Sequence, residues 1–156
     1  MLRNFAPPKD DMYHIRDPKN FLSAMRVDVE LLWKNNRYIP LTTLIMCCLD
    51  ALAADPGKAT SKTFGRFVKK HFPDLCMLLD PDRPGLTGAD ILYKNFRNGF
   101  AHERGPKSKF VIAEDHEVEG QWAGRFPDLD GQPVGINVDR LAEEFLKLLD
   151  RLASQV

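Results

Sequence analysis

The run Leu41-Thr-Thr-Leu-Ile-Met-Cys-Cys-Leu-Asp-Ala-Leu-Ala-Ala54 is apolar on nearly every side, interrupted only by Thr42, Thr43 and Asp50, and it stops at Asp55-Pro56-Gly57. A segment of this length with no polar face reads as a helix buried among other helices. The flanking sequence supplies them. Asp17-Pro18 offers an N-cap followed by proline at the first helical position, and Phe21, Met25, Val29 and Leu32 recur every three to four residues, which predicts a helix from about Pro18 to Asn35. A third helix is expected from about Lys62 to His71, followed after Pro73 by a short apolar turn from Leu75 to Leu79 and by a loop at Pro81-Asp-Arg-Pro-Gly85.

Thr87-Gly88-Ala89-Asp90 has the form of a capping box with Asp in place of Glu, and it opens a fourth helix with the apolar stripe Leu92, Phe96 and Phe100, ended by Gly105-Pro106. The next stretch changes character. Phe110 to Ile112, Val118 to Trp122 and Val134 to Ile136 are short β-type runs separated by charged or Gly-containing turns such as Asp130-Gly131. Asn137 then caps an amphipathic helix lined by Leu141, Phe145, Leu148 and Leu152, ending near Ser154. The expected fold is mainly α: one domain over residues 1–156, a bundle of four to five helices with a small β-hairpin or three-stranded insertion at 107–136 before the C-terminal helix. Residues 1–16, with Pro7 and Pro8, read as a surface arm.

At 156 residues, 44% apolar and 28% charged, the chain can bury a core without staples. Its 22 Lys and Arg balance 22 Asp and Glu, so any anion site must be local. Cys47, Cys48 and Cys76 lack paired metal spacing and read as buried small hydrophobes in a reducing compartment. With neither a signal-peptide stretch nor a membrane-length apolar segment, a cytoplasmic protein without membrane contact is expected. No phosphate loop, nucleophile elbow or paired-carboxylate motif is present, and no cofactor or metal is implied.

One segment carries chemistry: Arg97-Asn98-Gly99-Phe100-Ala101-His102. Arginine is a permanently charged fork for phosphate, and histidine changes charge near neutral pH, so together they can hold a phosphodiester and move a proton on it. Arg66-Phe-Val-Lys-Lys-His71 matches the same bare pattern, but Phe64, Phe67 and Val68 there read as a core stripe with the basic residues on the solvated side. The segment at 97 has a polar amide, Asn98, directly after the arginine, and its histidine falls at a helix end. The structural alternative is that Arg97 pairs with a carboxylate inside the monomer while His102 caps its own helix.

The run Leu92-Tyr93-Lys94-Asn95-Phe96-Arg97-Asn98-Gly99-Phe100-Ala101-His102-Glu103 resembles the signature helix of the HEPN superfamily, whose members share a helical bundle and an Arg-polar-x3-His motif. The resemblance implies a metal-independent ribonuclease of toxin–antitoxin type with Arg97 and His102 acting on the phosphodiester, Asn98 supporting them, and the site at a two-fold homodimer interface. Other members have lost catalysis and act as partner-binding modules. The resemblance does not extend to the insertion at 107–136.

On a straight α-helix five residues turn through about 500°, so Arg97 and His102 point about 140° apart and do not readily share one phosphate. Either the helix loosens at Gly99 or two copies meet across a symmetry axis. Around the motif Lys94, Arg97, Arg104, Lys107 and Lys109 stand against one acid, Glu103, and Lys94, Arg104, Lys107 and Lys109 are the expected RNA contacts. The competing expectation is a non-catalytic bundle that binds a protein partner or nucleotide through this surface, with the β insertion as recognition element. Trp33 and Trp122 read as apolar anchors rather than base-stacking platforms, His14 and His116 as loop residues, and Glu143, Glu144 and Lys147 as a solvated helix face.

Overall fold

A computed structural model describes residues 18–54, 60–80, 83–99 and 110–156. The expected arm at 1–16 and the Asp17 cap lie outside the described residues. Helix α1 (Pro18–Lys34) buries Leu22, Met25 and Val29. Helix α2 (Tyr38–Ala53) begins three residues before Leu41 and carries Pro40 in its first turn, where the N–H that proline lacks would have no helical partner anyway.

Helix α2 packs against α1, α3, the π turn of the motif and the C-terminal helix. It buries Leu41, Thr42, Ile45, Met46, Cys48, Leu49 and Ala53. The expectation that it is buried all round is corrected along one edge, where Cys47 and Ala51 are exposed. Neighbouring helical residues point about 100° apart, so Cys47 cannot share the environment of Cys48. Cys76 is half-buried.

Helix α3 (Ser61–His71) starts at Thr60, whose backbone N–H donates to Thr63 Oγ1 at 2.9 Å while Thr63 N–H donates to Thr60 Oγ1 at 3.2 Å. Phe64 and Val68 are fully buried and Phe67 is half-buried, as their spacing predicts. A single turn, α4 (Pro73–Cys76), follows. Of the expected loop at 81–85, residues 83–85 belong instead to a strand and 81–82 lie outside the described residues: β1 (Leu79–Asp80) pairs antiparallel with β2 (Arg83–Thr87). Proline is tolerated in such a two-stranded ribbon because both strands are edges.

Helix α5 (Gly88–Ile91) passes directly into a π-helical turn, Leu92–Arg97. Asp90 Oδ2 accepts from both the backbone N–H and the hydroxyl of Thr87 at 3.0 Å, as the capping sequence predicts. Gly88 is required by close approach: a Cβ there would lie 1.8 Å from the Leu75 carbonyl oxygen. Leu92 and Phe96 of the expected stripe are buried, and Phe100 lies outside the described residues.

The insertion before the last helix is a three-stranded sheet ordered β3-β5-β4, with β3 (Phe110–Ala113) parallel to β5 (Val134–Asn137) and β4 (Ala123–Arg125) antiparallel to it. The expected strand at Val118 to Trp122 is displaced. Asp115–Val118 forms a 3-10 turn, and Glu119 and Gly120 adopt φ of 51° and 72°, a left-handed pair that no strand accommodates. Asn137 ends β5 and caps helix α6 (Val138–Ala153), accepting from Arg140 N–H at 2.9 Å. Its amide also donates to Asp115 Oδ1 and the Gln121 carbonyl, which joins the sheet to α6. Leu141, Phe145 and Leu148 enter the same core as Leu41, Ile45, Phe64 and Phe96. No described helix is long and apolar enough to cross a membrane.

Candidate functional site

Arg97 sits at the end of the π turn, and its guanidinium reaches α2. Nη2 donates to Asp50 Oδ2 at 2.9 Å and Nε donates to the same oxygen at 3.3 Å, while Nη1 donates to Asn98 Oδ1 at 3.0 Å. The guanidinium carbon also lies 5.4 Å from the centroid of the Tyr93 ring, within cation–π range. Arg97 therefore carries the mark of the structural alternative, an ion pair inside the monomer. Two features go beyond a simple strut.

The first is the number of donors left over. A guanidinium has five N–H groups in a fixed fork. Asp50 and Asn98 take three of them among the described residues, and the side chain keeps 26% of its surface open. The hydrogen bond that Arg97 donates to Asp50, together with the Asp50 charge, raises the Arg97 pKa against the opposing effect of partial burial, so the group is a fixed cation. The second is Asp50 itself: its Oδ1 is buried with no partner among the described residues, although the side chain keeps 18% exposure.

The π turn changes the angular argument made for a straight helix. Bonds from i to i+5 widen the turn, so each residue advances by less than the α-helical angle of about 100°. Loosening thus begins at Leu92, before Gly99, and it buries Asn95, whose Nδ2 has no partner among the described residues. Extra turns of this kind recur at functional sites.

Of the residues expected at the site, Arg97 and Asn98 come together, and Lys94 is exposed on the same turn. His102, Arg104, Lys107 and Lys109 lie outside the described residues. The second pattern match separates: Arg66 is exposed, whereas His71 is half-buried against Phe67 with ring centroids 4.5 Å apart. Trp33 and Trp122 are anchors. Trp33 donates to Asp139 Oδ1 at 2.6 Å, and Trp122 is 8% exposed beneath the Arg140 guanidinium at 4.7 Å. His116 is exposed, and Lys147 reaches both Glu143 and Glu144 on the solvated face of α6.

Asp50 is the residue that sequence reasoning passed over. It is the one acid in the run 41–54, and a carboxylate surrounded by apolar neighbours on a packed helix needs a cation. Beside it on α2, Cys47 and Ala51 line an open apolar groove of about 320 Å³ shared with Phe21, Ala24 and Met25 of α1. Compared with known protein families, curated proteins and solved structures, the chain finds no match.

Proposed function

We propose that this chain is an RNA-directed protein of the HEPN type, a metal-independent ribonuclease in which Arg97 binds and polarises the scissile phosphate, His102 moves the proton and Asn98 holds the arginine. The observation that carries the reading is the pinning of Arg97: among the described residues Asp50 and Asn98 fix three of its five donors, and the side chain keeps 26% of its surface open. A cation positioned in advance stabilises developing phosphoryl charge more than a free one, because it need not reorganise during the reaction. The 2′-hydroxyl attacks the adjacent phosphorus, its proton passes to a base, and the 5′-oxygen leaves with a proton. The product ends are a 2′,3′-cyclic phosphate and a 5′-hydroxyl. A homodimer that brings two motif helices together supplies the composite site that the HEPN resemblance implies.

The test is cleavage of single-stranded RNA in excess chelator by the parent, Arg97→Ala and His102→Ala, with circular dichroism to show that each variant folds. Cyclic phosphate ends from the parent and their loss in both folded variants support the proposal. Equal cleavage by all three overturns it.

A second reading, a non-catalytic bundle that captures a protein partner or nucleotide through the same surface, is favoured by one observation. Asp50 neutralises Arg97 within the chain. Under that reading the parent cleaves nothing, and deletion of 107–136 abolishes capture.

A further inference from the structure

We propose that the outward face of α3, formed by Lys62, Arg66, Lys69 and Lys70, is a second surface that binds the phosphate backbone of single-stranded RNA. It shares its ligand with the reading above but does not depend on catalysis at Arg97. At about 100° per residue the four cations fall within an arc of about 100°, opposite the fully buried Phe64 and Val68. From Lys62 to Lys70 the stripe rises about 12 Å along the helix.

The face differs from the other charged helix surfaces. On α1, Arg26 bonds Glu30 at i,i+4, and on α6, Lys147 bonds Glu143 in the same spacing. Helix α3 contains no acid, and none of its four cations forms an ion pair among the described residues. Lys62 and Arg66, and Arg66 and Lys70, are instead like charges at i,i+4, an arrangement that destabilises an isolated helix. In a chain of zero formal charge this is a local field that a polyanion relieves.

The flank of the stripe favours single-stranded RNA over a membrane. Phe67 and His71 are half-exposed with their rings 4.5 Å apart beside Lys70, the aromatic surface on which unpaired bases stack. Burial, with Lys70 and Arg151 adding to it, lowers the His71 pKa, which disfavours the imidazolium. A membrane-surface helix must instead insert its apolar face, and here that face, Phe64 and Val68, is committed to the core. The buried face of the same helix packs Phe64 against Tyr93 at 5.2 Å, and Tyr93 lies under Arg97, so the stripe is on the far side of α3 from the pinned arginine.

The experiment is fluorescence anisotropy of a labelled, unstructured single-stranded RNA of about 20 nucleotides, a length above the site sizes typical of single-strand binders. The full chain is titrated across a salt series, as are Lys62→Gln/Arg66→Gln/Lys69→Gln/Lys70→Gln and the double variant Lys69→Gln/Lys70→Gln. Each neutralised phosphate contributes about 0.7 to the slope of log K against log salt, so the slope should fall by up to about 2.8 in the fourfold variant and about 1.4 in the double variant. Affinity at low salt should fall at least tenfold in the fourfold variant. The double variant carries the test if the fourfold one fails to fold.

Unchanged affinity and slope in a folded variant overturn the proposal, as does binding to anionic phosphatidylserine vesicles without binding to RNA. Lys147→Gln, which removes a cation from the solvated face of α6, should keep this binding within about twofold, a change of about 0.4 kcal/mol or less. Stripe-dependent binding without cleavage therefore removes the ribonuclease and keeps the α3 surface. Cleavage with stripe-independent binding does the reverse.

Discussion

Arg97 aims two N–H groups at a single oxygen of Asp50, Oδ2, across 47 residues of sequence, and leaves Oδ1 of the same carboxylate buried and without a described partner. Replacing one member should cost more than replacing the other. Arg97→Ala strands a mostly buried carboxylate and should lower stability by about 2–4 kcal/mol, whereas Asp50→Asn keeps shape and one acceptor and should cost about 1–2 kcal/mol. Urea unfolding of the two variants against the parent checks the order. Equal losses would mean that the pair acts only through packing.

Gly88→Ala places a methyl group 1.8 Å from the Leu75 carbonyl oxygen. Backbone rather than a flexible side chain meets it, so α5 or α4 must move, and the expected loss is about 3 kcal/mol or more. A thermal melt reads it directly. An unshifted transition would show that the start of the motif helix is not fixed by this contact.

The three thiols should react at different rates. Cys47 is exposed, Cys76 is half-buried, and Cys48 is buried with its pKa pushed up to about 12 by burial, then by Cys47 and Asp28. At pH 8 an aromatic disulfide reagent should label Cys47 first and Cys48 only on unfolding, because the thiolate is the nucleophile. Mass spectrometry of the digested adduct checks the order.

His71 should titrate below its ordinary value of about 6.5 in the folded chain, because burial, Lys70 and Arg151 disfavour the imidazolium. The unfolded chain then binds the proton more readily. Its contribution to stability is present above the unfolded value and is lost as the pH falls toward and through the lower folded value. NMR titration of the imidazole protons measures the shift, and Lys70→Gln should move it back toward 6.5. A His71 value at or above 6.5 in the parent contradicts the placement.

Much of the fold was legible because long helices announce themselves by period. The stripes of α1, α3 and α6 and the caps at Thr87 and Asn137 fall where the sequence puts them, and the sheet lies before the last helix. Short elements were less legible. The left-handed backbone at Glu119 and Gly120 moved β4 past Trp122, and a two-residue strand at Leu79 carries too few side chains to show alternation. At the site, the pattern Arg-polar-x3-His names Arg97 and Asn98 but cannot name a partner from another helix. Asp50 was visible only as a lone acid in an apolar run, a signal that asks for a cation without saying which. The π turn has no simple side-chain signature at all.

The most direct measurement is the rate at which the parent, Asp50→Asn and Arg97→Ala cleave a 5′-labelled single-stranded RNA in excess chelator, with the product ends identified. The account predicts 2′,3′-cyclic phosphate ends, a fall of about 10²–10³ for Arg97→Ala and a smaller fall for Asp50→Asn, since removing a positioned donor costs that much and loosening it costs less. Cleavage by Arg97→Ala at the parental rate, with the variant folded, would contradict it.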